Sequence, residues 1–269
     1  MNHPHGPQPV GVMLREWRQR RRMSQLDLAL EADISTRHLS FVETGRSQPS
    51  REMLLHLAER LEIPLRERNV LLTAAGFAAV FQERPLSDPA MQAARKAIDL
   101  VLAAHEPFPA IAIDRHWNLV AANAVVPLLL EGVDASLLEP PVNVLRLSVH
   151  PRGLAPRLAN LAQWRAHLLA RLHHQVQLTA DPVLAALLAE VQDYPMPAST
   201  PPPTGAEPDY AGVVVPFQLV TPAGTLSFLG TTTLFGTPVE VTLSELAIES
   251  FFPADAATAE ALRQLAAAR

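Results

Sequence analysis

Ser24-Gln25-Leu26-Asp27-Leu28-Ala29, followed by Ser35-Thr36-Arg37-His38-Leu39-Ser40-Phe41-Val42-Glu43, decides the fold of the N-terminal part of the chain. The stretch reads as two short helices joined by a tight turn. Ser24 and Ser35 each stand just before a helix, where a hydroxyl oxygen can accept an unsatisfied N–H of the first turn. Leu26, Leu28 and Ala29 are apolar on the first helix. Ile34, Leu39 and Val42 are apolar in and around the second. Thr36, Arg37, Ser40 and Phe41 are left to face outward. A helix pair whose second member shows a polar N-terminal face is a helix-turn-helix, and a helix of this size fits the major groove of DNA. An ordinary helical hairpin could share the pattern. The upstream run of Arg15, Arg18, Arg20, Arg21 and Arg22 argues for the DNA reading. Beside such a helix pair it reads as a phosphate-contacting face, with Arg15 and Arg18 as candidate contacts.

Working outward, a first helix is expected over 11–22, with Val12, Leu14 and Trp17 on its apolar side. In the turn Glu31-Ala32-Asp33-Ile34, Asp33 stands where the left-handed conformation usually calls for glycine. Gly45 can end the third helix, and Ser50 can cap a fourth carrying Met53, Leu54, Leu57, Ala58 and Leu61. Pro64 suits the first turn of a fifth helix. Five helices in about 70 residues make an all-α domain over 11–80, preceded by a disordered tail over 1–10 and followed by a linker over 81–90.

From Pro89 onward the period changes. A helix to Ala104 precedes a strand over 109–114, a turn at Arg115-His116-Trp117-Asn118 and a second strand over 119–122. Asn123 is expected to start a helix. Ala155 to Gln177 reads as one long amphipathic helix, and Asp181 as the cap of another. Residues 195–209 hold six prolines and read as an exposed loop. A hairpin over 213–220 and 225–235 follows, then a third strand or helix entry at 239–243, and a closing helix over 256–267. The expected class for 91–269 is α+β, a small antiparallel sheet with helices. A sheet curved under helices leaves an apolar hollow suited to a small ligand.

Composition narrows the function. The 269 residues are 48% hydrophobic and 18% charged, enough for a substantial core. No cysteine is present, so disulfides and thiolate chemistry are excluded. The N-terminus shows no apolar signal region, and no apolar run of about 18 residues suggests a membrane span. A cytoplasmic location is the default expectation. The net charge of −5 hides an uneven distribution, because the basic residues cluster near the proposed DNA-binding helix. No nucleophile elbow, phosphate loop, zinc-protease motif or dinucleotide fingerprint occurs, so neither an enzyme, a cofactor nor a metal is expected. His173-His174 point about 100° apart on a helix and make a poor chelate.

The residues Leu14-Arg15, Ser24-Gln25, Leu28-Ala29, Ile34-Ser35, His38-Leu39-Ser40, Glu43-Thr44-Gly45-Arg46, Pro49-Ser50 and Leu57-Ala58 resemble the XRE-type (Cro-like) helix-turn-helix repressors. The likeness spans 11–75 and implies a lambda-repressor-like domain. It places Gln25 against phosphate, Ser35, Thr36, Arg37 and Ser40 toward the groove, and Arg46 on the backbone past the recognition helix. Arg37 is the candidate for guanine, whose two acceptors fit its fork.

A second resemblance rests on Asp114-Arg115-His116-Trp117, Ala121-Ala122-Asn123, Asn143-Val144-Leu145-Arg146-Leu147, His150-Pro151, Thr221-Pro222-Ala223-Gly224, Phe235-Gly236-Thr237-Pro238 and Phe251-Phe252-Pro253-Ala254-Asp255. These residues are similar to the MmyB-like ligand-binding domain, a PAS-related fold. The resemblance implies a small apolar, fatty-acid-like effector. Trp117 and Phe228 are candidates to line the hollow, Arg146 and His150 to hold a carboxylate head group, and Asn123 to contact the ligand or merely cap its helix.

The expected function is a one-component regulator, a repressor acting as a homodimer on a double-stranded DNA operator. The alternatives are a C-terminal domain that only dimerises or binds a partner protein, its hollow filled by side chains, and a haem sensor using His116 or His150.

Overall fold

The computed structural model describes residues 9–196, 214–236 and 240–267. The expected N-terminal tail and proline-rich loop fall largely outside these residues. The chain divides into two units. One comprises residues as far as Arg84 together with 240–244; the other runs from Pro85 to Gly236 and from Glu245 onward.

In the first unit five helices follow one another: α1 (Val10–Arg20), α2 (Gln25–Glu31), α3 (Thr36–Glu43), α4 (Arg51–Arg60) and α5 (Leu65–Ala74). Their starts are fixed by the expected serines. Ser24 accepts the Asp27 N–H at 3.1 Å while the Asp27 carboxylate accepts the Ser24 N–H at 2.7 Å, a reciprocal capping box. Ser35 and Ser50 accept N–H groups of His38 and Met53. Asp33 takes the left-handed conformation (φ 50°) in the turn between α2 and α3, and Gly45 takes it (φ 73°) after α3. The core is built from Leu14, Trp17, Leu28, Leu39, Leu57 and Leu61, with their neighbours. Val12 and Leu26, apolar in the sequence reading, face outward. The first helix stops at Arg20, two residues before its expected end, because Arg22 turns left-handed (φ 56°) to reverse the chain.

α1 lies hard against the end of α3. A Cβ at Gly11 would run into the Val42 carbonyl oxygen, so only glycine admits this approach. Deeper in the same seam, Arg18 donates through Nε and Nη2 to the two Glu43 oxygens at 2.6 and 2.8 Å, and Gln25 donates to Glu43 Oε2 at 2.8 Å. One carboxylate thereby ties α1, α2 and α3. Burial by itself would push the Glu43 carboxyl up; the hydrogen bonds from Arg18 and Gln25, with the Arg18 charge, hold it below the usual carboxylate range.

The second unit opens with α6 (Gln92–Ala104), β1 (Ala110–Ile113) and β2 (Leu119–Ala122). Then come α7 (Val126–Leu129), α8 (Val144–Val149), α9 (Leu161–Thr179) and α10 (Pro182–Gln192). It closes with β3 (Phe217–Thr221), β4 (Gly224–Leu234), β5 (Ala247–Pro253) and α12 (Ala256–Ala267); between β4 and β5 the chain passes through α11 (Val241–Ser244), which belongs to the first unit. Five antiparallel strands run in the order β2-β1-β5-β4-β3. The architecture is α+β, as expected.

Several elements differ from expectation for identifiable reasons. The long helix over 155–177 is broken. Leu158 turns extended and bridges to Leu219 of β3, and Asn160 donates to the Pro216 carbonyl, so α9 begins only at Leu161. Leu158, Leu161, Trp164, Leu168 and Leu172 still enter one core, which is why their spacing resembled a single helix. Arg146 lies in α8, which Asn143 caps and His150 ends. α7 starts at Val126 rather than Asn123. The segment over 239–243 enters a helix, because the Glu240 carboxylate accepts the Leu243 N–H. The remaining strand is β5, in the middle of the sheet.

The β4–β5 connection returns to the first unit. Glu240 accepts the Arg84 N–H at 2.6 Å, the Val241 N–H meets the Gln82 carbonyl, and the Thr242 hydroxyl donates to the Arg84 carbonyl at 2.7 Å. Among the described residues no helix is long and apolar enough to cross a membrane.

Removing Glu43 would leave the buried Arg18 guanidinium unpaired. Glu43→Ala is expected to destabilise the first unit by about 3–5 kcal/mol, read by denaturant unfolding. In the native protein the Glu43 contribution is complete above the usual carboxylate range and lost as pH falls through and below it. The variant should therefore lose part of the acid dependence of unfolding along with its stability.

Candidate functional site

Two surfaces carry the chemistry. The first is α3 and its flanks. Leu39, Val42 and Glu43 anchor the helix inward, which leaves Ser35 and Arg37 exposed and Thr36 and Ser40 half-buried. Arg37 lies over the Phe41 ring at 5.3 Å and makes no hydrogen bond or ion pair among the described residues, so its N–H edge is free to donate. Arg46 and Arg15 are likewise exposed.

Arg18 departs from expectation. It is 8% exposed, spends two nitrogens on Glu43 and donates the third to the Met23 carbonyl at 2.8 Å, so it is a core residue and not a phosphate contact. The Gln25 amide is committed to Glu43 through one of its two N–H bonds, and the other remains for a neighbour. The arginine run divides further. Arg21 donates to the Leu61 and Glu62 carbonyls at the end of α4, and Arg20 stacks on Trp17.

The second surface is a cavity of about 510 Å³ in the second unit, within the usual range for small-molecule sites. Alternate residues of the strands face it: Ile111 on β1, Phe217 and Leu219 on β3, Phe228, Gly230 and Thr232 on β4, Glu249 and Phe251 on β5. α9 closes the opposite side with Trp164, His167, Leu168 and Arg171.

Trp117 lines the wall from the β1–β2 turn in a left-handed conformation (φ 66°). That turn is held by the Asp114 carboxylate, which accepts the His116 and Asn118 N–H groups at 2.8 Å. The indole N–H donates to Gln175 at 2.6 Å.

Of the five residues assigned to a ligand from sequence, the structure brings Trp117 and Phe228 to the cavity and places the other three outside its lining. Asn123 is a buried tether: its amide donates to the Leu102 and Phe108 carbonyls and accepts the Ala110 N–H. Arg146 makes two 2.7 Å bonds to Glu190, and His150 Nδ1 accepts the Arg152 N–H. The head-group reading of Arg146 and His150 fails because α8 turns both toward α10 and its following loop, where the His150 ring meets Tyr194.

Sequence reasoning missed the polar end of the cavity. Arg171 donates to Glu249 at 2.8 Å and to Thr232 at 3.3 Å, and its guanidinium covers the Trp117 ring at 4.7 Å. Burial, reinforced by the Arg171 charge and partly opposed by Glu249, holds the pKa of His167 below the usual imidazole value. A signal existed: Trp164, Leu168, Arg171 and Gln175 follow the four–three–four spacing of one helix face, so two polar residues continue an apolar stripe.

The Helix-turn-helix family model matches residues 14–68. The model described as MmyB-like transcription regulator ligand binding domain matches residues 94–265, more than half of the chain. No curated protein matches it.

Gly230 faces the cavity, and a Cβ there would meet only the Phe251 ring, at ordinary contact distance. The full-length protein is expected to enhance the emission of the uncharged probe N-phenyl-1-naphthylamine. Gly230→Leu should weaken that binding by about tenfold while leaving the circular dichroism spectrum unchanged.

Proposed function

The chain belongs to the MmyB-like transcription regulators, and from that premise we propose that it is a one-component repressor acting as a homodimer on a two-fold operator. It is a ligand-responsive DNA-binding regulator; the sign of control, the dimer and the chemistry of the effector are the parts proposed. Two copies of α3 would enter successive major grooves about one helical turn apart. Arg37 would read guanine, with Ser35, Thr36 and Ser40 beside it and Arg15, Gln25 and Arg46 on phosphates.

The observation that carries the effector reading is the open apolar cavity. A C-terminal domain that served only to dimerise or bind a partner protein would have its hollow filled by side chains, and among the described residues none fills this one. Its shape and lining suit a small apolar molecule of fatty-acid-like character. The haem alternative gains nothing from His116 or His150, since His116 is hydrogen-bonded to Asp181 and neither lines the cavity.

Control would run along β4 and β5. Thr232 and Glu249, paired across these strands, face the cavity, and the connection between the strands includes Glu240 and α11, which belong to the DNA-binding unit. An effector that favours one arrangement of this hairpin would bias the helix-turn-helix by the same differential affinity.

Native mass spectrometry of the freshly purified protein should show a dimer carrying a few hundred daltons that is lost on denaturation; a monomer would refute the two-fold operator. Selection from random DNA should yield a preferred site for the native protein. Arg37→Ala should relax that preference at one base pair at a cost of about 1–3 kcal/mol. Glu240→Ala is expected to keep effector affinity within about twofold while removing most of the effector's influence on DNA affinity, an influence expected at about 5–150-fold. Calorimetry and DNA titrations on the same preparation check both.

A further inference from the structure

The cavity is mostly apolar, and its charged residues gather where α9 faces β4 and β5. There Arg171 Nη2 donates to Glu249 Oε1 at 2.8 Å and to Thr232 Oγ1 at 3.3 Å, and Thr232 Oγ1 donates to the same Glu249 oxygen at 2.9 Å. Glu249 is 5% exposed and sits on the central strand. One positive and one negative charge cancel, and burial disfavours the charged form of His167, the other titratable group on this wall. The cluster has no net charge to offer a ligand. It does have hydrogen-bonding capacity: the remaining Arg171 N–H groups and Glu249 Oε2 take no partner among the described residues.

A carboxylate head entering here meets a guanidinium already neutralised and, beside it, a second carboxylate. Beside the buried Glu249 carboxylate an uncompensated negative charge is costly, because two like charges repel at close range. An uncharged head that both accepts and donates is better served. Its acceptor takes an Arg171 N–H, and its donor reaches Glu249.

We propose that the effector is an uncharged amphiphile, an acyl chain ending in an amide or hydroxyl, and that Glu249 is the residue that selects it against the corresponding fatty-acid anion. This rests on the reading of the cavity as the effector site. It keeps the chain of that reading and specifies the head.

The test is calorimetry of the full-length protein at pH 8 with decanamide and with decanoate, two ligands that share a chain. The native protein is expected to bind decanamide at least tenfold more tightly. In Glu249→Gln the charge of Arg171 is no longer cancelled. Decanoate affinity should then rise at least tenfold, and the ratio that favours decanamide should fall by at least as much. Decanoate binding to the native protein as tightly as decanamide would overturn the proposal while leaving the cavity reading intact, and that comparison needs no variant. A Glu249→Gln protein that folds but gains nothing for decanoate would overturn the assignment to Glu249. Failure of both ligands to bind would overturn the cavity reading and the proposal together.

Discussion

A carboxylate taken out of water must be given a partner, and this chain meets that requirement twice at the places where it works. Glu43 is buried where three helices of the DNA-binding unit converge, and Arg18 and Gln25 satisfy it. Glu249 is buried at the centre of the sheet, and Arg171 and Thr232 satisfy it. Isolated, either charge would cost several kcal/mol; paired and hydrogen-bonded, each fixes geometry more than it adds stability. The Glu43 cluster orients α3 relative to α1 and α2 and so decides which of its residues reach outward. The Glu249 cluster decides which end of an otherwise apolar cavity is polar, and what charge that end carries.

Around these points the architecture follows from simple periodicities. Strand side chains alternate, so Phe228, Gly230 and Thr232 on β4 share a face with Glu249 and Phe251 on β5. Glycine at 230 leaves room where a larger residue would fill the hollow. α9 lays its three-and-four spacing over that face. The paired strands that hold the polar end of the cavity are joined through Glu240 and α11, which are built into the DNA-binding unit by bonds to Gln82 and Arg84. In the proposed regulation this covalent return path would carry effector occupancy toward the DNA-binding unit.

Much of this was legible in the sequence. The three serine caps, the left-handed Asp33 and Gly45 and the leucine spacing depend on local chemistry, and the first unit's helices follow from them. What was not legible depends on partners far along the chain. Arg18 follows the buried Leu14 by one helical turn, which Arg15 does not, but its partner Glu43 lies 25 residues on and leaves no local trace. Arg146 and His150 looked like a head-group pair because four-residue spacing is suggestive, but Glu190 and the turn to Arg152 claim them. Arg171 was hidden among the other polar residues of α9, and Glu249 in a strand not separated from its flanking segments, so their meeting across 78 residues had no local trace. Trp117 and Phe228 were readable because large aromatics near a curved sheet tend to go inward.

The account stands or falls on whether the cavity governs DNA binding. The most direct measurement is the salt-controlled affinity of the full-length protein for its selected DNA site, titrated with and without saturating decanamide. The account predicts that affinity changes at least fivefold on saturation, by linkage between the cavity and the helix-turn-helix. Saturated and unsaturated protein binding the site with equal affinity would contradict it, because a molecule in the cavity would then carry no signal to the DNA-binding unit.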